Sequence, residues 1–462
     1  MIPLPFAKGQ RYAVLGLARS GLTAAQALAA SGAEVLAWDD SEAARQRAEA
    51  AGIALVPLDG LAWEGIEGLV LSPGIPHNFP KPHPVTHAAK QAKVQLIGDV
   101  ELLALACSKA RYLGITGTNG KSTTTALAGH LLQYTGLTTA VGGNLGKPVL
   151  SLPALNERGV YVLELSSYQL ELLHSLTCDA AVLLNITPDH LDRHGGFEGY
   201  LAAKARIFRG QKTPQTAIVG VDQEAGQRLA DLLEQEGQVR PIRISLEGAV
   251  TGGLFYRDGW LYDDSEGPAE RLVALDTYPH LPGKHNLQNI AAAYAACRTL
   301  GLPRATLLEG LASFPGLAHR LELVAERNGV RFVNDSKATN AEAAATALSS
   351  YDGIYWIAGG IPKDGGLAGL EPLFSRIRRA FLIGEAQDAF AAELAGKVTA
   401  QCCGTLETAV RAAAKLAIRE SGGKAVVLLS PACASLDQFP DFEARGETFR
   451  AVVAALEEEV EL

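Results

Sequence analysis

Short apolar segments alternate with longer helical patterns along most of this 462-residue chain. That alternation is typical of parallel β-sheets whose strands are connected by crossover helices. At about 150 residues per domain, a chain of this length is too long for a single core. We therefore predict an α/β protein built of three consecutive αβ domains, residues 1–98, 99–315 and 316–462.

Turn residues and apolar runs locate the main strands. The first block begins with a strand at 11–17 and a helix from about Thr23, as a Rossmann-type unit does. Two hairpins are predicted, around Asp258-Gly259 and Asn328-Gly329, since these dipeptides favour tight turns. The remaining predicted strands are 33–38, 68–71, 112–116, 160–163, 180–185, 216–220, 354–358, 380–383 and 425–429, with a helix at 286–300.

The composition is that of an ordinary globular protein, with 48% apolar and 20% charged residues. The formal net charge is −9, so the chain has no overall basic character that would favour nucleic acid or an anionic membrane. No apolar segment approaches the roughly 18 residues that a membrane helix needs, and no leader pattern precedes the first strand. We expect a cytoplasmic, monomeric protein with small-molecule substrates, no nucleic-acid partner and no membrane association.

The strongest local signal is a glycine-rich segment between a predicted strand and a predicted helix, residues 114–123. Backbone N–H groups in such a loop surround phosphate oxygens, a lysine adds positive charge, and a hydroxyl holds magnesium. Ile115 stands where a standard phosphate loop has its first glycine. A plain strand–helix turn is the alternative. The residues predicted to contact nucleotide phosphates here are Gly117, Thr118, Asn119, Gly120, Lys121, Ser122 and Thr123.

Acidic residues follow the loop at the ends of neighbouring strands. Glu164 ends the strand at 160–163, and His190 lies in the polar segment 185–194 after the next strand. The carboxyl ends of parallel strands meet at one edge of a sheet, and oxygen ligands suit magnesium. On their own, Glu164 could be a solvated carboxylate and His190 a packing histidine. Their position downstream of a phosphate loop favours a metal site.

Several motifs together resemble the Mur ligase family, which includes folylpolyglutamate synthase. The family loop, T-G-T-N-G-K-[ST], accounts for Ile115. The segments that carry the resemblance span most of the chain in the family's order and are 116–123, 164–167, 187–193, 283–286, 319–320 and 334–340. The resemblance implies a Rossmann-like domain for the UDP-linked substrate at 1–98, a central P-loop-type ATPase domain at 99–315 and a Rossmann-like amino-acid-binding domain at 316–462.

Within this family, segments 164–170 and 429–439 resemble the member that adds D-glutamate to UDP-N-acetylmuramoyl-L-alanine. The D-N-P-R motif of the member that adds a diamino residue is absent. The resemblance implies an ATP- and magnesium-dependent ligase of peptidoglycan precursor synthesis. It implies further that the alanine carboxylate takes the γ-phosphoryl group of ATP to form an acyl phosphate, which the amino group of D-glutamate then attacks.

The resemblance also assigns roles to individual residues. It implies that Lys121, His190, Lys204 and Lys337 take part in catalysis. Metal ligation falls to Ser122, Thr123, Glu164, His190 and Lys204, with Lys204 carbamylated so that it presents an anion; a surface helical lysine is the alternative. Further nucleotide-side residues are Asn286, Arg320 and Asp335, and the D-glutamate residues are Thr339, Lys363, Ser435 and Phe442.

A second glycine-rich turn, residues 16–21, lies in the first block. Ala18 stands where the family usually has glycine. The residues predicted to bind the UDP-linked substrate are Arg19, Ser20, Asp39, Ser72 and Asn144. Taken alone, this turn followed by an acid about 20 residues on would equally suggest an NAD-dependent oxidoreductase. A binding or regulatory ATPase is the other reading outside the ligases, and it leaves the motifs of the last block unexplained.

Overall fold

The computed structural model describes residues 1–144, 146–275, 277–278, 280–362, 365–420, 422 and 425–460, the last four of these as backbone. The chain divides into two compact units, Met1–Thr277 with Lys284–Phe314 and Tyr278–Gly283 with Pro315–Leu462. The described residues form three β-sheets, so the α/β prediction is confirmed. Among them, no helix has the length and apolar character required to span a bilayer.

The first sheet is four-stranded and parallel, in the order β2-β1-β3-β4. The order reverses between β1 and β3, which creates the switch point at which open α/β sheets usually bind ligands. Its elements are β1 (Arg11–Leu15), α1 (Arg19–Ala30), β2 (Glu34–Trp38), α2 (Glu42–Ala50), β3 (Ile66–Leu71), α3 (Pro84–Gln91), β4 (Gln95–Ile97) and α4 (Asp99–Ala106).

The second sheet has nine strands, in the order β13-β12-β11-β10-β9-β8-β5-β7-β6. Its strands are β5 (Arg111–Thr116), β6 (Thr139–Gly143), β7 (Val160–Glu164), β8 (Ala180–Leu183), β9 (Thr216–Gly220), β10 (Ile242–Ser245), β11 (Leu254–Arg257), β12 (Trp260–Asp263) and β13 (Glu270–Ala274). Its helices are α5 (Lys121–Tyr134), α6 (Ser167–Glu171), α7 (Leu191–His194), α8 (Phe197–Ala205), α9 (Glu224–Glu236), α10 (Lys284–Thr299) and α11 (Arg304–Ala312). The strands from β6 to β11 are parallel, and β7 and β8, on either side of β5, are buried along their whole length.

The third sheet, in the order β14-β15-β19-β16-β17-β18, belongs to the second compact unit. Only the β14–β15 pair is antiparallel among its described strands. Its elements are β14 (Glu322–Arg327), β15 (Val330–Asn334), α12 (Ala341–Ser349), β16 (Ile354–Gly359), β17 (Ile377–Ile383), α13 (Gln387–Leu394), β18 (Ala400–Gly404), α14 (Leu406–Glu420), β19 (Ala425–Leu429) and α15 (Phe442–Val460).

The two predicted hairpin turns are confirmed. Asp258 and Gly259 adopt φ of 48° and 83°, and Asn328 and Gly329 adopt 49° and 72°. Both central residues of a two-residue turn of this class need positive φ, which explains the asparagine or aspartate followed by glycine.

The sequence-based prediction of local structure differs from the structure in one helix start and in five missed strands. Helix α1 begins at Arg19 rather than near Thr23, because the glycine-rich turn ends sooner than its composition suggests. The missed strands are β4, β6, β10, β13 and β18. Of these, β18 is a partly exposed strand at the sheet edge whose residues lack the β-branched side chains typical of strands. The boundaries proposed for three domains stay a prediction.

Candidate functional site

The phosphate-type loop lies between β5 and α5. Gly117 and Gly120 have φ of 155° and 83°, conformations that favour glycine. The Nζ of Lys121 donates to the carbonyl oxygens of Gly117 and Thr118, at 3.0 and 2.8 Å. The side chains of Ser122 and Thr123, in the first turn of α5, are buried. A helix N-terminus, a lysine and two hydroxyls therefore meet at one loop, as anion binding requires.

Two residues not singled out in the sequence hold this loop in shape. The side-chain oxygen of Asn185 accepts a hydrogen bond from Asn119 N at 2.8 Å, and its amide donates to Asn119 O at 3.2 Å. The Tyr200 hydroxyl lies 3.2 Å from Thr118 Oγ1. A polar residue directly after an apolar strand was the available signal for Asn185; Tyr200 had none, because its contact bridges 82 residues.

Glu164 lies in the sheet beside this loop. The register of β7 places it opposite Ile115 of β5 and Gly143 of β6. It is buried, and its Oε1 accepts a hydrogen bond from Asn144 Nδ2 at 2.8 Å. Its other oxygen, Oε2, is buried with no hydrogen-bond partner among the described residues. A buried carboxylate oxygen without a hydrogen-bond partner lowers the stability of the fold, unless a cation or a hydrogen-bond donor binds to it.

Lys204 is 2% exposed, so the alternative reading as a surface lysine is wrong. Its Nζ donates to Gly117 O at 2.8 Å and lies 4.7 Å from the centre of the Tyr200 ring. Burial, reinforced by the charge of Lys121, lowers the pKa of Lys204 to about 7, against the opposing influence of Asp189 and Glu164. The structure thus brings a readily deprotonated amine to the loop carbonyl at Gly117.

His190 sits at the start of α7, with a left-handed backbone (φ 50°). Its side chain is 53% exposed and lies 3.5 Å from the Asp189 carboxylate. Its ring also lies 5.3 Å from that of Tyr168. Of the predicted metal ligands, His190 is therefore the one that faces solvent, whereas Glu164 and Lys204 are buried.

Asn286 lies on α10, which packs against α5. It is buried, and its Oδ1 accepts a hydrogen bond from Asn289 Nδ2 at 2.9 Å. Asn289 in turn accepts from Thr124 Oγ1 on α5 at 3.1 Å. Asn286 is therefore linked to the helix that begins at the phosphate-type loop.

A cavity of about 300 Å³ opens at the switch point of the first sheet. Three of the residues predicted for the UDP-linked substrate, Ser20, Asp39 and Ser72, line it. Arg19 is exposed at the first position of α1. The fifth predicted residue, Asn144, is not part of its lining and instead contacts Glu164.

Asp39, the acidic residue that the sequence predicts for this cavity, also stabilises the surrounding backbone. Asp39 Oδ2 accepts from Leu17 N at 2.5 Å, and Oδ1 accepts from Ser41 N at 2.8 Å. Ser72 Oγ donates to Gly16 O at 2.9 Å. Asp39 and Ser72 therefore fasten both sides of the glycine-rich turn.

Asp335 directly follows strand β15 in the second unit. It is buried; Oδ2 accepts from Ser430 Oγ at 2.8 Å and Oδ1 accepts from Leu321 N at 3.2 Å. Burial raises the pKa of Asp335 to about 7, a rise that the Ser430 hydrogen bond and the charge of Arg320 oppose. Arg320 and Asp335, both predicted for the nucleotide side, are thus electrostatically coupled.

Two loops of the second unit are joined by Arg445, which is 1% exposed. Its guanidinium donates to Ser336 O at 2.8 Å and to Cys433 O at 3.1 Å. These contacts bring segment 334–340, which contains Lys337 and Thr339, next to segment 430–435, which ends at the buried Ser435.

Phe442 joins the same group of residues. Its ring lies 5.4 Å from Lys337 Nζ, and its carbonyl accepts from Ser336 Oγ at 2.8 Å. The remaining residue predicted for D-glutamate, Lys363, lies outside the described residues.

Comparison with known proteins bears on the whole chain. Residues 115–297 match the model of the Mur ligase middle domain, and residues 319–433 match that of the Mur ligase glutamate ligase domain. A Rhodospirillum rubrum protein named UDP-N-acetylmuramoylalanine--D-glutamate ligase is 52% identical over 461 residues, covering 99% of this chain and 97% of that protein. A Caulobacter vibrioides protein of the same name is 51% identical and covers 99% and 98%.

Solved structures agree on the fold. The UDP-N-acetylmuramate-alanine ligase of Thermotoga maritima superposes with a TM-score of 0.59 at 17% identity, covering 96% of this chain and 99% of that chain. MurF from Acinetobacter baumannii gives a TM-score of 0.57 at 19% identity, covering 98% and 92%. At such identities the likeness concerns the fold alone.

Proposed function

This chain belongs to the Mur ligase family, and from that premise we propose that it joins D-glutamate to UDP-N-acetylmuramoyl-L-alanine. The reaction consumes ATP, gives ADP and phosphate, and is a step of peptidoglycan precursor synthesis. The structural observation that carries the proposal is one loop at which Lys121 and the buried Lys204 both donate to the Gly117 carbonyl. The reaction of an NAD-dependent oxidoreductase does not require this loop. A regulatory ATPase does not require the segment that matches the glutamate ligase domain.

Amide formation requires the alanine carboxylate to gain a leaving group. Its oxygen attacks the γ-phosphorus of ATP, ADP leaves, and an acyl phosphate results. The amino group of D-glutamate then adds to the acyl carbon and phosphate is expelled. Such chemistry depends mainly on positioning and on charge neutralisation. We propose that Lys121 and the N-terminus of α5 stabilise the negative charge that develops on the transferred phosphoryl group.

The residues around the loop fit magnesium. Glu164 offers a buried carboxylate oxygen without a hydrogen-bond partner in the described part of the chain, and Ser122 and Thr123 offer hydroxyls. Groups of three or more acidic, histidine or cysteine residues suited to a metal do not occur among the described residues. Magnesium typically takes one or two carboxylates together with substrate phosphates and water, so a smaller set suffices. When bound, the ion would neutralise phosphate charge; we include the exposed His190 in this set from the family motif.

We propose that Lys204 is carbamylated. An ammonium beside magnesium and triphosphate would repel the metal, whereas a carbamate supplies oxygen ligands and negative charge. Carbon dioxide reacts with a neutral amine, and burial lowers the pKa of Lys204 to about 7. The burial of its side chain supports the same assignment, because it withdraws the amine from the water that would keep an exposed lysine charged.

For the substrates, we assign the UDP-linked one to the cavity lined by Ser20, Asp39 and Ser72, and we retain Arg19 and Asn144 for it from the family resemblance. The D-glutamate site is assigned to the second unit. Its support is the clustering of the segments that contain Lys337 and Thr339 with the buried Ser435 and with Phe442; Lys363 is retained from the family motif.

Because one chain contains residues for all three substrates, we propose a monomer. It would act in the cytoplasm, where ATP and the UDP-linked precursor are found, and its division at residues 98 and 315 into substrate, ATP and amino-acid domains is part of the same proposal.

The decisive experiment is an ADP-release assay with UDP-N-acetylmuramoyl-L-alanine and single amino acids. D-Glutamate should support turnover, whereas L-glutamate and diaminopimelate should not, because the amino-acid domain resembles the D-glutamate-adding member. Comparable rates with L-glutamate or diaminopimelate would overturn the substrate assignment.

A further inference from the structure

Four side chains in successive ring contacts form a continuous column in the first compact unit. The Arg193 guanidinium lies 4.7 Å from the centre of the Tyr168 ring. Tyr168 stacks on His194 at 5.3 Å with an interplanar angle of 14°, and His194 meets Tyr200 at 5.4 Å. We call Arg193, Tyr168, His194 and Tyr200 the aromatic column.

The two ends of the aromatic column reach two different parts of the site. At one end, Arg193 Nη1 donates to Gly74 O at 2.9 Å, and Gly74 lines the cavity of the first sheet. At the other end, the Tyr200 ring lies 4.7 Å from Lys204 Nζ and its hydroxyl lies 3.2 Å from Thr118 of the phosphate-type loop. The column therefore connects the cavity rim to the loop through direct contacts.

His194, at the centre of the column, is held by hydrogen bonds at both ring nitrogens. Its side chain is fully buried. Nδ1 lies 3.1 Å from Glu171 Oε1, and Nε2 lies 3.0 Å from Ser167 Oγ. A carboxylate oxygen only accepts, so Nδ1 donates to Glu171, while Nε2 forms the second hydrogen bond with the Ser167 hydroxyl. The two bonds fix the rotation of the ring.

Glu171, the partner of His194, also contacts a residue of the segment that forms the first sheet. The other oxygen of Glu171, Oε2, lies 3.5 Å from Nε2 of His77, a residue that follows strand β3.

The same spatial arrangement of serine, histidine and carboxylate occurs in nucleophilic active sites. Here Ser167 is 3% exposed, so no substrate reaches its hydroxyl and a nucleophilic role is excluded.

We propose that His194, oriented by Glu171 and Ser167, is a positioning residue for the ligase reaction. It holds Tyr200, which places Lys204 and Thr118, and it holds Tyr168, which places Arg193 at the cavity rim. Its task is to keep the acceptor substrate and the phosphoryl-transfer loop in one alignment, and it touches neither. The inference rests on the proposed function. A misplacement of about 1 Å at a reacting centre can lower a rate about 100-fold.

The test compares His194→Phe with a matched control, His130→Phe. His130 also contacts two aromatic rings and hydrogen-bonds through Nε2, to Ser313 Oγ at 2.9 Å, but it lies on the α5 face that meets α11. Phenylalanine keeps a flat ring and removes the hydrogen bonds. His194→Phe should lower kcat about 10- to 100-fold, with KM for ATP changed less than about 3-fold, while His130→Phe leaves kcat unchanged.

Two variants of Glu171 add a rescue. Glu171→Gln keeps an oxygen that accepts from Nδ1, so its kcat should stay within about 3-fold of wild type, whereas Glu171→Leu removes the acceptor and should resemble His194→Phe. Equal thermal unfolding temperatures of the two variants would show that packing does not account for their difference in kcat. If His194→Phe does not fold, as thermal unfolding would reveal, Ser167→Ala decides: it removes one hydroxyl and should lower kcat about 3- to 10-fold.

Equal kcat values for His194→Phe, His130→Phe and wild type would overturn the inference while leaving the proposed function intact, and so would an unchanged kcat in Ser167→Ala. A wild-type enzyme that does not turn over D-glutamate would overturn the proposed function, and the inference with it.

Discussion

Two glycine-rich turns in the first compact unit can be compared directly. Each connects the end of a parallel strand to the start of a helix, β1 to α1 and β5 to α5. At the first turn the carboxylate of Asp39 accepts a hydrogen bond from Leu17 N. At the second turn the amino groups of Lys121 and Lys204 both donate to Gly117 O, and Lys121 donates to Thr118 O as well.

The difference shows that two turns of similar local topology can present opposite charges to a ligand. An acid uses up backbone N–H groups that could otherwise bind phosphate, whereas a lysine adds charge for it. The first turn lines an open cavity of about 300 Å³. The second is held by hydrogen bonds from Asn185 and Tyr200, which lie in distant segments of the chain. Changes at the second turn should therefore impair the reaction itself, and changes at the first should impair binding of one substrate.

The largest effect is expected at the second turn from Lys204→Ala. This variant should fold but be nearly inactive, because the proposed carbamate anion is lost. Formate or acetate should restore part of the activity by replacing that anion, whereas methylamine, a mimic of the unmodified lysine, should not. Lys212→Ala, at an exposed lysine, should behave as wild type with or without these additives. Rescue by methylamine alone would show that Lys204 acts as a cation.

Lys121→Ala should lower kcat by about 100-fold or more, the scale seen when one preorganised electrostatic contact is removed. The fold should survive, because a lysine at the first position of a helix contributes little packing. Steady-state ADP release measures kcat, and thermal unfolding checks the fold. The control is Lys109→Ala, an exposed lysine just before β5, which should leave kcat unchanged. A folded Lys121→Ala enzyme with near-normal turnover would make the two turns functionally alike.

The smallest effect is expected at the first turn. Asp39→Ala frees Leu17 N and loosens the cavity lining, so KM for the UDP-linked substrate should rise about 10-fold, as loss of a charge-assisted hydrogen bond predicts. KM for ATP should not change. Asp222→Ala is the matched control, because Asp222 also accepts from a backbone N–H, that of Leu246 at 3.0 Å. An equal rise of both KM values in Asp39→Ala would mean that the two turns are not independent.

Much of the fold could be predicted from local patterns. The hairpin dipeptides at 258–259 and 328–329 specified their turns, because positive φ at two successive residues suits few residue types. Strand β18 could not be predicted, because its pairing with β17 depends on tertiary context and its own residues have low strand propensity. The start of α1 was misplaced for a related reason, since the length of a turn is set by what packs on it.

Within the site, motifs identified the residues that carry charge, and the structure decided their environment. Lys204 reads in sequence as an ordinary helical lysine, and only the packing of α8 against the loop shows it to be buried. Asn144 and Glu164 were assigned to different ligands, yet their side chains are joined by a 2.8 Å hydrogen bond. The burial of these side chains and their hydrogen-bond partners follow from the order of the strands in the sheet. That order brings together residues that are far apart along the chain.

The sequence by itself determined the α/β class, the phosphate loop and the family, because these depend on short runs of residues with restricted backbone or charge requirements. Only the tertiary structure decided which polar groups are withdrawn from water. It placed Glu164 and Lys204 in buried positions at the second turn, left His190 exposed and assembled the aromatic column around His194. The physical reason is that a pattern specifies a residue's local conformation, whereas its solvation, its pKa and its hydrogen-bond partners depend on which distant strands and helices pack against it.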